Sequence, residues 1–511
     1  MTNVTPDPTQ GPRADPVDID GLMQDGDNHI RQGRGTQADL SFQEVLAHQP
    51  DNPDALQRRG FLALLRGDPG DAVELLSRAM AIRSDDATLC GHLAGALMAC
   101  GNLDEAISYW QRALELAPDY AAAYVNLGDA YFAKSESALS EAAYRKSIAI
   151  APDNPKAFVS LARMLHFSNR SGEAEAALHQ ALELAGDAPE VWNLVGTVLL
   201  EAGGLDAALE LFEASVRKAP AEPQGHTGKG IALHMLARPD EARAAYRRAL
   251  EIDPRYPLAR KHLGVLLQEC GELDAAAECF RQLLAADPND DMARHMLAAT
   301  AGEATASAPA GYVTRLFDDY ADRFDTHLSQ ISYRVPEQIR DMVVDIAGGE
   351  QLEWRILDLG CGTGLCGEAM RPLAAFLAGV DLSPRMIAKS RERKIYDSLI
   401  TGSIEDALEG QERAFDLIVA GDVFTYVGDL ASAFAGSARA MRPGGLMAFS
   451  IEEADGDHYH LCPTGRYAHS PAYVDKTAIA SELSVVRRRD IVLRNDPEPI
   501  RAQIVVLARD A

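Results

Sequence analysis

Aromatic side chains are scarce in this 511-residue chain: Phe, Trp and Tyr together make up 6%. A core must then be built largely on Ala and Leu, which suits helices packed at short range. Basic residues are also few, with 49 Lys and Arg against 76 Asp and Glu, a formal net charge of −27. A field of that sign repels phosphate backbones, so no nucleic acid is expected as a direct partner. No uninterrupted apolar run reaches the roughly 18 residues that a membrane helix needs, so no membrane partner is expected either. The seven cysteines are scattered and form no CxxC pair. That argues against a metal site and for free thiols in a reducing, cytoplasmic compartment. The segment MTNVTPDPTQGPRADPVD carries Pro and Asp without an apolar centre. It reads as a disordered tail over 1–18, neither secretory signal nor transit peptide.

What the chain does have is a period. Prolines at Pro118, Pro152, Pro220, Pro254 and Pro288 are spaced 34, 68, 34 and 34 residues apart, and Pro50 and Gly186 keep the same phase. Within each unit a small residue recurs at Gly60, Ala94, Gly128, Ala162, Gly196, Gly230 and Gly264. Sixteen residues after each of these comes a large apolar one: Leu76, Trp110, Tyr144, Leu178, Phe212, Tyr246 and Phe280. The small residues mark where two antiparallel helices cross closely, and the large one fills the space beside the crossing. Proline then ends the pair. The pattern resembles the tetratricopeptide repeat. About seven clear units run from 53 to 290, preceded by a degenerate one (19–52) and followed by a closing helix near Asp291–Thr300, so an all-α solenoid over 19–301 is expected. The resemblance implies a protein partner in the concave groove, whose candidate residues include Asn126, Asn193, Lys229 and Lys261. They form no convincing peptide-binding set, and the partner stays open.

GEATASAPAG, 302–311, is small, Ala/Ser/Pro-rich and reads as a flexible linker. Phe317, Tyr320, Phe324 and Leu328 follow at the spacing of one helical face, and a second helix is expected over Pro336–Ala347. Then the texture changes. The short apolar runs RILDLG, AFLAGVDL, LITGS, DLIVAG, LMAFSI and QIVVLA alternate with helical stretches. That alternation implies a mostly parallel, doubly wound α/β domain over 312–511.

Between the first run and its helix stands Asp358-Leu-Gly-Cys-Gly-Thr-Gly364, whose glycines allow a tight turn and close backbone approach to a ligand. The second run ends in Asp381, seventeen residues after Gly364, where a carboxylate can accept ribose hydroxyls. Leu382 follows it, Glu405 and Asp406 come just after the third run, and Asp422 after the fourth. Together these resemble the class I S-adenosylmethionine-dependent methyltransferases, with a Rossmann-like fold. The resemblance implies S-adenosylmethionine as cofactor, with Asp358, Gly360, Cys361, Gly362 and Gly364 cradling its methionine part. Asp381 and Leu382 would hold the ribose, Glu405 or Asp406 the adenine amino group, and Asp422 would border the cofactor. A NAD-binding turn would more often show GxGxxG.

The family's amino-methylating members carry an (Asn/Asp)-Pro-Pro-(Tyr/Phe) signature after the fourth strand. Here Gly421–Tyr426 lacks it, which makes DNA base methylation improbable. After the fifth run comes a segment holding His458, His460, Arg466, Tyr467 and His469. Such insertions cover the acceptor pocket in this family. His469 with Tyr467, and Arg466 beside them, is the candidate for positioning the acceptor or taking its proton, since imidazole titrates near neutrality. The competing task for these residues is to satisfy backbone groups in a structured loop. Two functions compete in turn: a methyltransferase whose repeats recruit its substrate, and an interaction scaffold whose second domain binds cofactor without being catalytically essential.

Overall fold

A computed structural model describes residues 17–331, 333–349, 353–495 and 499–510. All but the last two residues of the expected tail lie outside these. Of those two, Asp18 caps the first helix, accepting from Gly21 N–H at 2.9 Å. The chain divides into two compact units, Met1–Gly186 and Asp187–Ala511.

Among its described residues the first unit is helices alone, ten between Ile19 and Ala185, in pairs such as Ala121–Ala133 with Ser137–Ile150. The small-to-large spacing of the sequence is a slot. A Cβ built on Gly128 would lie 2.5 Å from the Tyr144 ring, and one on Gly26 2.4 Å from Phe42. The rings fill these slots completely: Trp110 and Tyr144 are each 1% exposed and Phe42 not at all. Interior space of this kind admits no extra carbon without displacing a ring.

The second unit opens with three more pairs, from Pro189–Glu201 to Leu273–Ala286, and the helix Asp291–Ala301. The slot recurs at Gly230, where a Cβ would meet the Tyr246 ring at 2.4 Å. A nine-stranded sheet follows: β1 (Trp354–Leu359), β2 (Ala374–Asp381), β3 (Ser398–Thr401), β4 (Phe415–Ala420), β5 (Met441–Glu453), β6 (Tyr459–Leu461), β7 (Tyr467–His469), β8 (Leu483–Asn495) and β9 (Pro499–Arg509). The order β3-β2-β1-β4-β5 is parallel throughout, and β9 pairs antiparallel with β5 and β8. β8 and the small hairpin β6–β7 were not anticipated. Strand order reverses between β1 and β4, the point where open α/β sheets leave a crevice at the strands' carboxyl ends.

Two expectations need correction. Phe317, Tyr320, Phe324 and Leu328 do not share one helix: Ala310–Tyr320 and Phe324–Gln330 are separate, with a turn between. Nor is 302–311 a free bridge. Ala308 N–H donates to the Tyr426 carbonyl at 3.0 Å, and the Ala306 carbonyl accepts from Gly428 and Asp429 at 2.9 and 2.8 Å. Residues this close to the sheet carry backbone groups that must be paired, and 426–429 pair them.

The hairpin β6–β7 continues the attachment. His295 Nε2, in the closing helix, is hydrogen-bonded to the Gly465 carbonyl at 2.8 Å, buried. Gln268 Nε2 donates to the Pro463 carbonyl. The Tyr467 hydroxyl meets Thr305 Oγ1 at 2.5 Å. Around these bonds Ala298, Ala299, Ala308, Val313, Leu461 and Tyr467 form one apolar cluster. His295→Ala leaves the buried Gly465 carbonyl without its partner, a loss of about 1–3 kcal/mol. Thermal melting should show that loss, and limited proteolysis should show faster cleavage within 302–311. An unchanged digestion pattern would contradict the attachment.

Candidate functional site

The glycine turn after β1 takes left-handed backbone at Gly360, Gly362 and Gly364, with φ of +62°, +54° and +99°. At Gly360 the neighbour also demands glycine, since a Cβ there would strike Val423 at 2.5 Å. The loop after β1 therefore lies directly against the loop after β4, across the point of strand reversal. The helix Pro384–Arg393 holds the turn from its far side: Ser390 Oγ donates to the Gly362 carbonyl at 2.7 Å and Arg393 Nε to that of Thr363 at 2.6 Å. Cys361 is buried, with its N–H on the Val380 carbonyl at 2.9 Å.

Asp381 ends β2 beside this turn. One carboxylate oxygen accepts from Gly362 N–H at 2.9 Å and the other from Ser383 N–H at 2.8 Å. Burial raises its pKa, while those two N–H groups pull the other way. Each oxygen keeps a lone pair for a further donor. Asp358 is wholly buried, and its Oδ2 accepts from the Tyr396 hydroxyl at 2.7 Å. Tyr396 was not singled out from sequence. It occupies space that only glycines leave: a Cβ on Gly367 would lie 2.1 Å from its hydroxyl, and one on Gly379 2.8 Å from its ring.

Over the turn lie the two short helices after the 302–311 segment. Phe324 is the nearest group to a Cβ built on Gly362, at 3.9 Å. Phe317 packs edge-on against Tyr426 at 5.3 Å, and Leu382 joins the same apolar group. Polar bonds fasten this cover. Thr363 Oγ1 donates to Asp325 at 2.5 Å, Ser383 Oγ to Asp318 at 2.5 Å, and Arg385 pairs with Asp322.

On the β4–β5 side, Asp422 stands in left-handed backbone at φ +60°, its N–H on Ser450 Oγ at 2.8 Å. Its Oδ1 is sealed from solvent and has no hydrogen-bond partner among the described residues. Arg466 Nη1 bonds Glu452 Oε1 at 3.3 Å, and its guanidinium lies 5.9 Å from the Tyr426 ring centre. Burial raises the pKa of both Asp422 and Glu452, and Arg466 opposes it.

Other candidates sit apart. Asp406 and Ser403 form a reciprocal helix cap, Asp406 accepting from Ser403 N–H at 3.1 Å, and both Glu405 and Asp406 are exposed. His469 has a different task from proton transfer. It is fully buried, its Nε2 lies 2.9 and 3.1 Å from the carbonyls of Val427 and Gly428, and burial lowers its pKa to about 4. A ring held neutral between two carbonyls fixes the 427–428 turn; it does not collect protons near neutrality. Tyr467, fully buried and bonded to Thr305, is likewise an anchor. His458 is exposed, and no group of three metal-ligating side chains occurs among the described residues. No described helix is long and apolar enough to cross a membrane.

A family model described as a methyltransferase domain matches residues 357–449, from the turn's first strand into β5. Tetratricopeptide repeat models match 24–87, 95–135, 121–154, 161–223, 196–257 and 233–300. The chain joins tetratricopeptide repeats to a methyltransferase domain. Similar proteins include the ubiquinone biosynthesis O-methyltransferase of Thiobacillus denitrificans, 32% identical over 118 residues, 22% of this chain and 50% of that protein. Another is the enzyme of the same name from Hydrogenovibrio crunogenus, 28% identical over 151 residues, 26% of this chain and 60% of that one. The chain thus spans about half the length of the relatives it matches. Among solved structures, yeast Tom70 aligns at 18% identity over 57% of this chain and 67% of its own, with a TM-score of 0.44.

In the methyltransferase domain, burial raises the Asp358 pKa from 3.8 to about 7, with the Tyr396 hydroxyl opposing the rise. At low pH folded and unfolded chains both hold this proton, and the neutral acid does not oppose folding. Above about pH 4 the unfolded chain sheds this proton while the folded chain keeps it, so stability falls progressively until the folded carboxyl ionises near pH 7. Asp358→Asn should therefore gain on the parent protein between about pH 4 and about pH 8, by up to about 3–4 kcal/mol. Parallel melting curves that keep a constant offset would refute this.

Proposed function

We propose that the methyltransferase domain transfers a methyl group from S-adenosylmethionine to an acceptor that the tetratricopeptide repeats help to recruit. The observation that carries this reading is the joint of turn and strand end: a left-handed glycine loop at the strand reversal, with Gly362 N–H on the Asp381 carboxylate at 2.9 Å. The fit is favourable. Space stands open beside Gly362 as far as Phe324, and Asp381 retains lone pairs for two hydroxyl donors. When bound, the cofactor supplies a methyl group already activated on a sulfonium.

The chain's own residues then bind and orient. Asp381 and Leu382 hold the ribose, the turn from Asp358 to Gly364 receives the methionine part, and exposed Glu405 meets the adenine more readily than Asp406, which caps a helix. Phe317, Phe324 and Tyr426 keep water from the crevice, and placing an acceptor in line with the methyl does most of the rest. The relatives' name, O-methyltransferase, favours an oxygen acceptor. Tetratricopeptide repeats act in protein–protein interaction, so a protein or a protein-borne molecule is the partner this architecture favours.

Calorimetric titration of the full chain with S-adenosylmethionine tests the reading. Micromolar binding is expected, and Asp381→Ala should weaken it by roughly 2–4 kcal/mol through loss of charge-assisted bonds to ribose. Gly362→Val should abolish it by filling the open space. Absence of binding in the folded parent protein would turn the choice to the scaffold function, with the repeats as the working half.

A further inference from the structure

The crevice at the strand reversal is unevenly charged. After β4 stands Asp422, its Oδ1 sealed and unpartnered among the described residues. At the end of β5 stands Glu452, 7% exposed and bonded to Arg466. On the opposite wall, across the contact between Gly360 and Val423, Asp358 is buried, with the neutral Tyr396 hydroxyl on Oδ2 and the Gly367 backbone as its hydrogen-bond donors. Arg466 is the cation that acts on Asp422 and on Glu452 alike. Asp422 also sits in left-handed backbone without being glycine, a conformation that the Ser450 hydroxyl holds in place through the Asp422 N–H. A carboxylate oxygen sealed from solvent without a hydrogen-bond partner among the described residues, beside a guanidinium that Glu452 shares, favours a positively charged neighbour.

We infer that Asp422, with Glu452 behind it, makes the site selective for the charge of its ligand, favouring the sulfonium of S-adenosylmethionine over the neutral thioether of S-adenosylhomocysteine. This rests on the proposed function and adds one thing to it: a reason for product to leave. The two ligands share adenosine, ribose, ammonium and carboxylate, and differ at sulfur by one methyl and one charge. The glycine turn and Asp381 bind what they share. In this proposal the Asp422 carboxylate acts on what differs. Asp422 is a positioning and selectivity residue in this role, and it forms no bond to the methyl group.

The test is calorimetric and needs no acceptor. Affinities of the full chain for S-adenosylmethionine and S-adenosylhomocysteine are measured for the parent protein, Asp422→Asn and Glu452→Gln, each checked for a cooperative melt. The ratio of the two affinities should shift against S-adenosylmethionine by roughly tenfold in Asp422→Asn, and less in Glu452→Gln, where Arg466 is released as Glu452 is neutralised. Sinefungin, which carries an amine near the sulfur position, should follow S-adenosylmethionine. Equal weakening of all three ligands would overturn the inference, placing Asp422 on the shared part of the ligand. No change for any would also overturn it, leaving Asp422 to the acceptor side. If Asp422→Asn does not melt cooperatively, an unchanged ratio in Glu452→Gln is the overturning result. Failure of the parent protein to bind any of them would instead strike the proposed function.

Discussion

The reversal of strand order between β1 and β4 is the constraint on which the second unit depends. Neighbouring strands whose connections leave in opposite directions open a gap at their carboxyl ends, and the glycine turn, Asp381 and Asp422 follow the strands that border it. The gap is narrow because Gly360 lets Val423 close against it. It is floored by Asp381, ordered by backbone N–H groups, and roofed by the aromatic helices that 302–311 leads into. A bulkier residue at Gly360 would push the two loops apart and disturb all three at once.

The gap also gathers carboxyl groups in a place with little water. Asp358, Asp381, Asp422 and Glu452 all have their pKa raised by burial, against the partial relief of N–H donors, the Tyr396 hydroxyl and Arg466. Globular cores rarely keep such groups without using them.

The repeat architecture was fully legible because its signal is one-dimensional. A 34-residue period survives in the chain as written, and the sixteen-residue offset from Gly128 to Tyr144 is the slot itself. The glycine turn was legible for a related reason: left-handed backbone restricts residue type at the position itself. What escaped was set by distant partners. Tyr396 lies 38 residues from Asp358, and the only local trace is the glycine at 367 and 379 that makes room for it. Histidine 469 looked like a proton carrier, since its chemistry is visible in the sequence while its burial against Val427 and Gly428 is not. The 302–311 segment has the composition of a flexible bridge, but hydrogen bonds to 426–429 decide its state. Asp406 shows the opposite case, a capping pair three residues apart that local reading could have found.

The closing helix and the β6–β7 hairpin have a consequence for how such a chain can change over generations. An array cut to a uniform 34-residue length tolerates gain or loss of a whole module, because each inserted copy restores the spacing of the next. The module holding Gln268, and the helix holding His295, do not share that freedom, since Pro463 and Gly465 are fitted to them. A change of shape at Gln268 or His295 therefore has to be matched at Pro463 or Gly465 in the methyltransferase domain.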